Sequence, residues 1–507
     1  VVDKEFDIVI VGSGAGGGAA AKELSSLCKD GISIALLEWG PKLREEEFTG
    51  REVEMAEKLY FDGGGFLTKD RSMTLAFARA YGGSTVVYTG TSLTVPKQAI
   101  ARWNVPGLDW EDVRRRSEKY LKENSVHLLP DELINDNNRL FQTACGKLGY
   151  RVEQFPINVA GCRGSGLCNL GCPNAAKQGT LRVQLPQAEK NGVQVVTNCK
   201  VESLETDGGR GGVLSARVAE SRDGVASAWA PGEYRVKARV FVVAAGAVNS
   251  PALLLRSRLG VALPALGRYL TVHPALILVG QHGRAITNYS GHPKSYYCDH
   301  FAESDGFLLE TCMYFPFVTA KNLAGFGSEH SRLMSRMDRL QMILVLAIDP
   351  ALRENRVTID GEGNPVVDYR LTPGVRRSLI ASMRASAKIL FASGAERVHV
   401  PAAEKFFIES SDAVRVDELV QDAHFKTGKA SISSAHLMGG CRMGEGPAES
   451  VTDAWGQVHG LPWLYVADAS LFPRCAEINP YITIMALADR VAERVKTVGL
   501  KTMAAAR

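Results

Sequence analysis

Residues 6–38 limit the fold more than any other stretch of the chain. Residues 6–11 (FDIVIV) are a short β-branched run of the kind that forms a buried parallel strand. They lead directly into Gly12-Ser13-Gly14-Ala15-Gly16-Gly17, and a helix is expected from about residue 18 to residue 27. Residues 32–37 (ISIALL) read as a second buried strand, ending on Glu38. Strand, glycine turn, helix, strand and acid in that order spell one βαβ unit. In such a unit Gly12 permits the tight bend, Gly14 lets the backbone approach a pyrophosphate, and Gly17 lets the helix pack closely on the strand. The free N–H groups and dipole of the helix N-terminus favour the phosphates. Glu38, 21 residues beyond Gly17, is placed to accept hydrogen bonds from a ribose 2′-OH, and its charge would repel the extra phosphate of NADP. NAD and FAD share this fingerprint, so the choice between them must come from elsewhere in the chain.

At 507 residues the chain is several times longer than one core needs, which implies two domains or one large domain with an elaborate insertion. Lys and Arg number 59 against 55 Asp and Glu, too even a balance to supply the basic stripe of a nucleic-acid-binding protein. The longest apolar run, around residues 240–248, is about half of a bilayer span, so no membrane span is expected. The first strand starts within a few residues of Val1, so no signal peptide is visible, but the missing initiator Met leaves the true start open. A cytoplasmic location is the expectation, with periplasmic export alongside a partner subunit as the alternative.

Further strands are expected at residues 193–201 and 236–245, the latter opening into Gly246 and a helix at 252–259. From about residue 273 to 429 the texture changes to alternating stretches, such as 307–317 and 342–349, which suit an antiparallel sheet. The end returns to α/β character, with a strand at 464–467 and a helix from about 482 to 498. The expected fold is α/β: a Rossmann-like dinucleotide-binding domain plus a substrate domain built on an antiparallel sheet. The first is assigned residues 1–97, 160–272 and 430–507, and the second residues 98–159 and 273–429.

Three segments resemble the glucose-methanol-choline family of flavoprotein oxidoreductases, in that family's order along nearly the whole chain. Arg79-Ala80-Tyr81-Gly82-Gly83-Ser84-Thr85 is similar to its first signature, in which a Gly-Gly-Ser turn brings backbone close to the pyrophosphate and flavin. Ala244-Ala245-Gly246-Ala247-Val248-Asn249-Ser250-Pro251, followed by three leucines, is similar to its second. The third covers residues 433–490, with SSAHLMGGCRMG, LYVADASLFP and NPYITIMALADR. The resemblance implies FAD, usually held without a covalent link, and the oxidation of an alcohol. It places His436 on the family's catalytic histidine and Asn479 on the second active-site position. It places Asp468 and Ala469 against the pyrophosphate and ribityl chain, and Val201 where the backbone reads adenine. The chain departs from the pattern at Tyr88, where the first signature usually carries Asn or His.

Oxidising an alcohol removes a hydroxyl proton and a hydride from one carbinol. His436 suits the base, because an imidazole takes and releases a proton near neutral pH, and flavin N5 accepts the hydride. The alternative is a satisfied core histidine inside Ala-His-Leu-Met. The helix after Pro480, with Tyr481 and Ile482 in its first turn, would point N–H groups at the flavin N1 and O2 edge. Asn479 is expected both to orient the substrate oxygen and to cap that helix, with a plain turn role as the alternative. His273, before Pro274, also resembles a family segment and is read as structural.

Cys162, Cys168 and Cys172 form the pattern Cys-x5-Cys-x3-Cys-Pro. The loop is similar in kind to that of family members carrying a [3Fe-4S] cluster, which would make the enzyme a dehydrogenase passing electrons to a protein or quinone-like acceptor. A disulfide or zinc site is the alternative. Met313, Tyr314, Phe315, Phe317, Leu323, Phe326, Leu333 and Met334 suggest a lipophilic or aromatic alcohol, unless they simply form the core of the substrate domain. A sugar or polyol dehydrogenase and an oxygen-using alcohol oxidase are the competing readings.

Overall fold

The computed structural model describes residues 1–208, 211–257, 259–323, 325–426 and 429–505. Five helices pack around its sheets and cavity: α1 (Ala15–Leu24), α2 (Trp110–Glu123), α3 (Gly246–Ser257), α4 (Pro373–Ala392) and α5 (Tyr481–Arg494).

The β-branched run beginning at Phe6 lies in the strand Val2–Val11, whose residues Ile8 to Val11 are buried. This strand pairs in parallel with Ile34–Leu37 on one side and with Gly232–Val243 on the other. Gln194–Val196 extends the sheet beyond Ile34–Leu37, and Gly212–Val218 and Cys199–Thr206 extend it antiparallel on the far side. Leu464–Val466 pairs in parallel with the last three residues of Gly232–Val243, so a C-terminal strand joins the N-terminal unit. The α1 helix starts earlier than its sequence pattern suggests, with the glycines inside its first turns. A helix normally disfavours glycine, but here the close approach to neighbouring strand ends requires it.

Among the described residues the second sheet has nine strands. Its centre is Ala275–Gln281 paired antiparallel with Leu340–Ala347, flanked by Arg397–His399 on one side and Phe307–Thr311 on the other. The short strand Glu153–Gln154 closes one edge. Ile432–Ser434 pairs with Met73–Leu75 and joins the sheet through Ser433 and Ala275, so segments from both ends of the chain complete it. Side chains alternate across the sheet, as strand geometry requires. Leu276, Leu278, Ile343 and Val345 share the main core with Leu379 and Met383 of α4. Ala275, Ile277, Leu344 and Leu346 belong to a separate cluster on the other face. The alternating stretch at 307–317 is a strand only over Phe307–Thr311, because Pro316 starts the short helix Pro316–Asn322.

The α5 helix is held by a buried ionic network. The Arg116 guanidinium of α2 donates to Asp489 and Glu493 of α5 and, at 2.9 Å, to Asp112. Lys119 and the Tyr120 hydroxyl also donate to Asp489, at 2.5 and 3.1 Å, and Arg490 donates to Asp112 at 2.6 Å. Such a network is costly to break on one side only, because the remaining charges stay buried. Asp489→Ala is therefore expected to lower the unfolding free energy by about 3–5 kcal/mol in urea denaturation of the flavin-loaded protein; a loss within experimental error would show that the network bears little weight.

Candidate active site

The two sheets flank a cavity of 1120 Å³, slightly above the range of roughly 300–1,000 Å³ for ligand pockets. Gly12, Gly14, Glu38, Arg79 and Val201 line one end, and Lys294, His436 and Asn479 line the other.

At the first end the glycines differ in what surrounds them. Gly12 has φ +99°, and a Cβ there would lie 2.4 Å from the Ala244 carbonyl oxygen. A Cβ on Gly16 would meet the Ala467 oxygen at 1.8 Å, and one on Gly17 the Gly12 oxygen at 2.0 Å. Gly14 instead faces open space, with only Gly83 Cα at 3.7 Å. Gly16 thus carries a packing role as strict as that of Gly17, which the sequence pattern did not separate. The Glu38 carboxylate accepts hydrogen bonds from Ser13 N at 3.0 Å, Ser13 Oγ at 2.6 Å and Gly40 N at 2.7 Å. Burial pushes its pKa up, against these bonds and the Arg79 charge. Ser13 Oγ accepts from Gly82 N at 2.9 Å, tying the Gly82-Gly83-Ser84 turn to the first glycine loop.

Asp468 accepts from Gly246 N at 2.8 Å and Ser470 N at 2.7 Å, and from the Ser250 hydroxyl, which also receives Ala245 N at 2.9 Å. The aspartate therefore joins the start of α3 to the turn after Leu464–Val466, and Ala469 beside it lines the cavity. Two observations fit this end to the diphosphate and ribose of a dinucleotide. The space over Gly14 has no side chain to fill it, and the buried Arg79 Nε on the same wall has no partner among the described residues. The role of Arg79 was missed in the sequence; its place in the first signature, beside the Gly-Gly-Ser turn, was the available signal.

At the other end, Thr271–Val272 pairs antiparallel with Leu437–Met438, with Val272 opposite Leu437. Continuing that register sets His273 opposite His436, and their Nδ1 atoms lie 2.9 Å apart with the rings edge to face. His273, read from the sequence as structural, is in direct contact with the proposed base. Burial pushes His273 down to about 4 and His436 well below the usual imidazole range, with the charges of His273 and Lys294 also opposing protonation of His436. Lys294 forms a buried ion pair with Glu310 and lines the cavity.

Asn479 lines the cavity, and its side chain has no hydrogen bond to any described residue. It does not cap α5: Pro480 holds the cap position without a side-chain bond. An asparagine side chain caps from the residue next to the first helical one, and here proline occupies that place. The Tyr481 hydroxyl is 2.6 Å from Ser92 Oγ, and its ring meets Tyr88 edge-on at 4.9 Å. Tyr88, the departure from the first signature, also accepts from Asn158. Of the expected cofactor residues, Gly17, Gly82 and Ile482 do not line the cavity; Ile482 packs in the core.

Cys162, Cys168 and Cys172 share a separate void of 20 Å³, about the room a single water needs. Gly164 N and Ala176 N approach the Cys162 and Cys172 sulfurs at 3.5 and 3.3 Å. Beside them the Lys177 ammonium donates to three carbonyls, those of Val86, Tyr88 and Cys168. No group of three metal-ligating side chains occurs among the described residues. Among the described residues, nothing beyond the shared void supports an iron-sulfur cluster there. Spacing and the likeness to cluster-carrying family members suggested one, and neither reveals how the loop threads or that a lysine is folded in beside it.

Sequence models of the GMC oxidoreductase family match residues 56–275 and 351–488. An uncharacterised GMC-type oxidoreductase of Mycobacterium tuberculosis is 32% identical over 505 residues, 98% of this chain and 77% of the relative. The chain belongs to the GMC oxidoreductase family. It is an FAD-dependent oxidoreductase that acts on alcohols, as the motifs implied. A long-chain-alcohol oxidase of Arabidopsis thaliana is 27% identical over 96% of the chain and 67% of the relative. Among solved structures, pyridoxine 4-oxidase from Mesorbium loti superposes with TM-score 0.72 at 18% identity, covering 97% of this chain and 99% of that one. Formate oxidase of Aspergillus oryzae gives 0.70 at 14%, covering 99% and 100%. The GMC oxidoreductase fold expected from the motifs is the fold observed.

Two measurements check this site. Gly14→Ala should fold normally yet bind FAD more weakly, whereas Gly16→Ala should fail to accumulate as folded protein; equal behaviour of the two would contradict the packing account. His273, His292 and His399 are held neutral, pushed down by burial to about 4, 4 and 3. The unfolded chain binds protons at these positions below about 6.5. Stability should therefore be complete above pH 6.5 and decline as pH falls toward 4, which urea midpoints across that window will show.

Proposed function

We propose that this GMC oxidoreductase oxidises the carbinol of a lipophilic alcohol, with His436 taking the hydroxyl proton. FAD, when bound, supplies the hydride acceptor at N5. The cofactor would be held by the residues of 1–97, 160–272 and 430–507 that line the first end of the cavity, Gly12, Gly14, Glu38, Arg79 and Val201 among them. The observation that carries the reading is the setting of His436. One ring nitrogen faces His273, the residue is on the cavity wall, and burial with nearby Lys294 keeps the ring neutral and able to accept a proton. Asn479, with a free amide on the same wall, orients the substrate oxygen.

Part of the cavity wall is apolar, formed by Ala275, Ile277, Leu344, Leu346, Met313 and Phe315. Such a surface desolvates an alkyl or aromatic group and leaves the hydroxyls of a sugar unpaired. The similarity to plant long-chain-alcohol oxidases supports the same substrate class. Electrons pass onward to an acceptor other than NAD, and turnover with dioxygen compared with a quinone-like dye assigns the enzyme as oxidase or dehydrogenase. Iron and sulfide analysis of anaerobically purified protein tests the competing cluster reading, and we expect neither element.

His436→Ala should leave a yellow, folded protein whose alcohol turnover falls by about 10²- to 10⁴-fold; undiminished turnover would remove the base assignment. Because the folded-state pKa of His436 is depressed, the acid limb of kcat/KM should lie well below pH 6.5. A panel from short polar to long-chain primary alcohols should give rising kcat/KM with chain length, and a preference for polyols would overturn the substrate class.

A further inference from the structure

Cys475 lies far from the Cys162–Cys172 loop in sequence, yet it ends a continuous hydrogen-bonded chain. Its Sγ lies 2.8 Å from His273 Nε2, and His273 Nδ1 lies 2.9 Å from His436 Nδ1. Cys475 and His273 are buried, and the free end of the chain is His436 Nε2, the one ring nitrogen not engaged with His273. We propose that Cys475 and His273 are positioning residues that fix the tautomer of His436, leaving its Nε2 unprotonated toward the substrate. The inference rests on His436 being the base.

Each neutral imidazole carries one N–H, so the two hydrogen bonds are coupled and only two arrangements satisfy both. In the first, His436 donates from Nδ1 to His273 Nδ1, His273 donates from Nε2 to the sulfur, and His436 Nε2 keeps a free lone pair. In the second, the thiol donates to His273 Nε2, His273 donates from Nδ1 to His436, and His436 Nε2 carries the proton. Only the first presents a base to a substrate hydroxyl. It is also the only one that needs an acceptor at position 475. The sulfur already accepts from Glu477 N at 3.4 Å, and a thiol proton left unpaired costs little because S–H is a weak donor. A buried imidazole N–H without an acceptor costs more. Without the sulfur, His273 therefore moves its proton to Nδ1, and His436 follows with its own on Nε2.

The geometry has a simple origin. The ladder between Thr271–Val272 and Leu437–Met438 sets the two histidines opposite each other. The loop after Phe472 then returns Cys475 beneath them, anchored by the Trp103 indole N–H on the Cys475 carbonyl at 3.2 Å and by Ala476 N against Met438 Sδ at 3.4 Å.

The test uses flavin-loaded protein labelled with ¹⁵N-histidine, with the His436 resonances identified by their loss in His436→Ala. The expected native spectrum shows Nδ1 protonated and Nε2 unprotonated. Cys475→Ala should reverse that pattern and lower kcat by between about 10²- and 10⁴-fold, the range of a misplaced imidazole proton, with flavin content unchanged. A native His436 protonated on Nε2, or a Cys475→Ala spectrum with the native pattern, would overturn the proposal. If His436→Ala retained turnover, the base reading would fail instead, and the spectra would still report the tautomer. Should Cys475→Ala not fold, His273→Asn serves, because its amide oxygen accepts from His436 Nδ1 and should preserve the tautomer, whereas loss of it would count against the chain.

Discussion

Backbone crowding around the first glycine turn governs the rest of this structure. The carbonyls of Gly12, Ala244 and Ala467 stand where side chains on Gly17, Gly12 and Gly16 would have to be. Those contacts join three segments far apart in sequence: the N-terminal unit, the long strand Gly232–Val243 and the strand Leu464–Val466. No residue with a Cβ fits at Gly16 or Gly17 without moving backbone, and moving backbone here displaces the strand end that leads to Asp468. The C-terminal block is thus carried to the cofactor cavity by steric constraint as much as by sheet hydrogen bonds. Gly14 is the exception, and its open face is where a ligand can approach.

The reaction end depends on a different force. Desolvation depresses the basicity of both His273 and His436, so the pair stays neutral and a hydrogen bond between the two rings costs no charge repulsion. Lys294, neutralised by Glu310, adds a cation to the same wall, which further discourages imidazolium. The second sheet has two apolar faces. One set of its side chains packs under α4, and the other packs in the second apolar cluster and also lines the cavity. The division follows directly from the two-residue period of a strand.

Much of this was legible in the residues. The buried strands at either end of the glycine turn, the acid at Glu38 and the return to α/β character near Leu464 all rest on local patterns, and local patterns suffice for them. The motif positions of His436 and Asn479 also led to the cavity. What could not be read is what depends on long-range pairing. The pairing of His273 with His436 comes from a ladder between residues 163 positions apart. The setting of the cysteine loop was hidden for the same reason, since its spacing says nothing of the Lys177 ammonium bound to carbonyls beside it. The start of α5 moved the expected cap from Asn479 to Pro480, a difference of one residue that changes which side chain is free for the substrate.

We propose, then, that a neutral imidazole in an apolar cavity prepares an alcohol for oxidation by bound flavin. Anaerobic mixing of the oxidised yellow protein with a long-chain primary alcohol tests it without any assumption about the acceptor. The yellow absorbance should bleach while the corresponding aldehyde forms in equal amount. Absorbance that persists with every alcohol, yet bleaches on addition of a reduced nicotinamide, would contradict it.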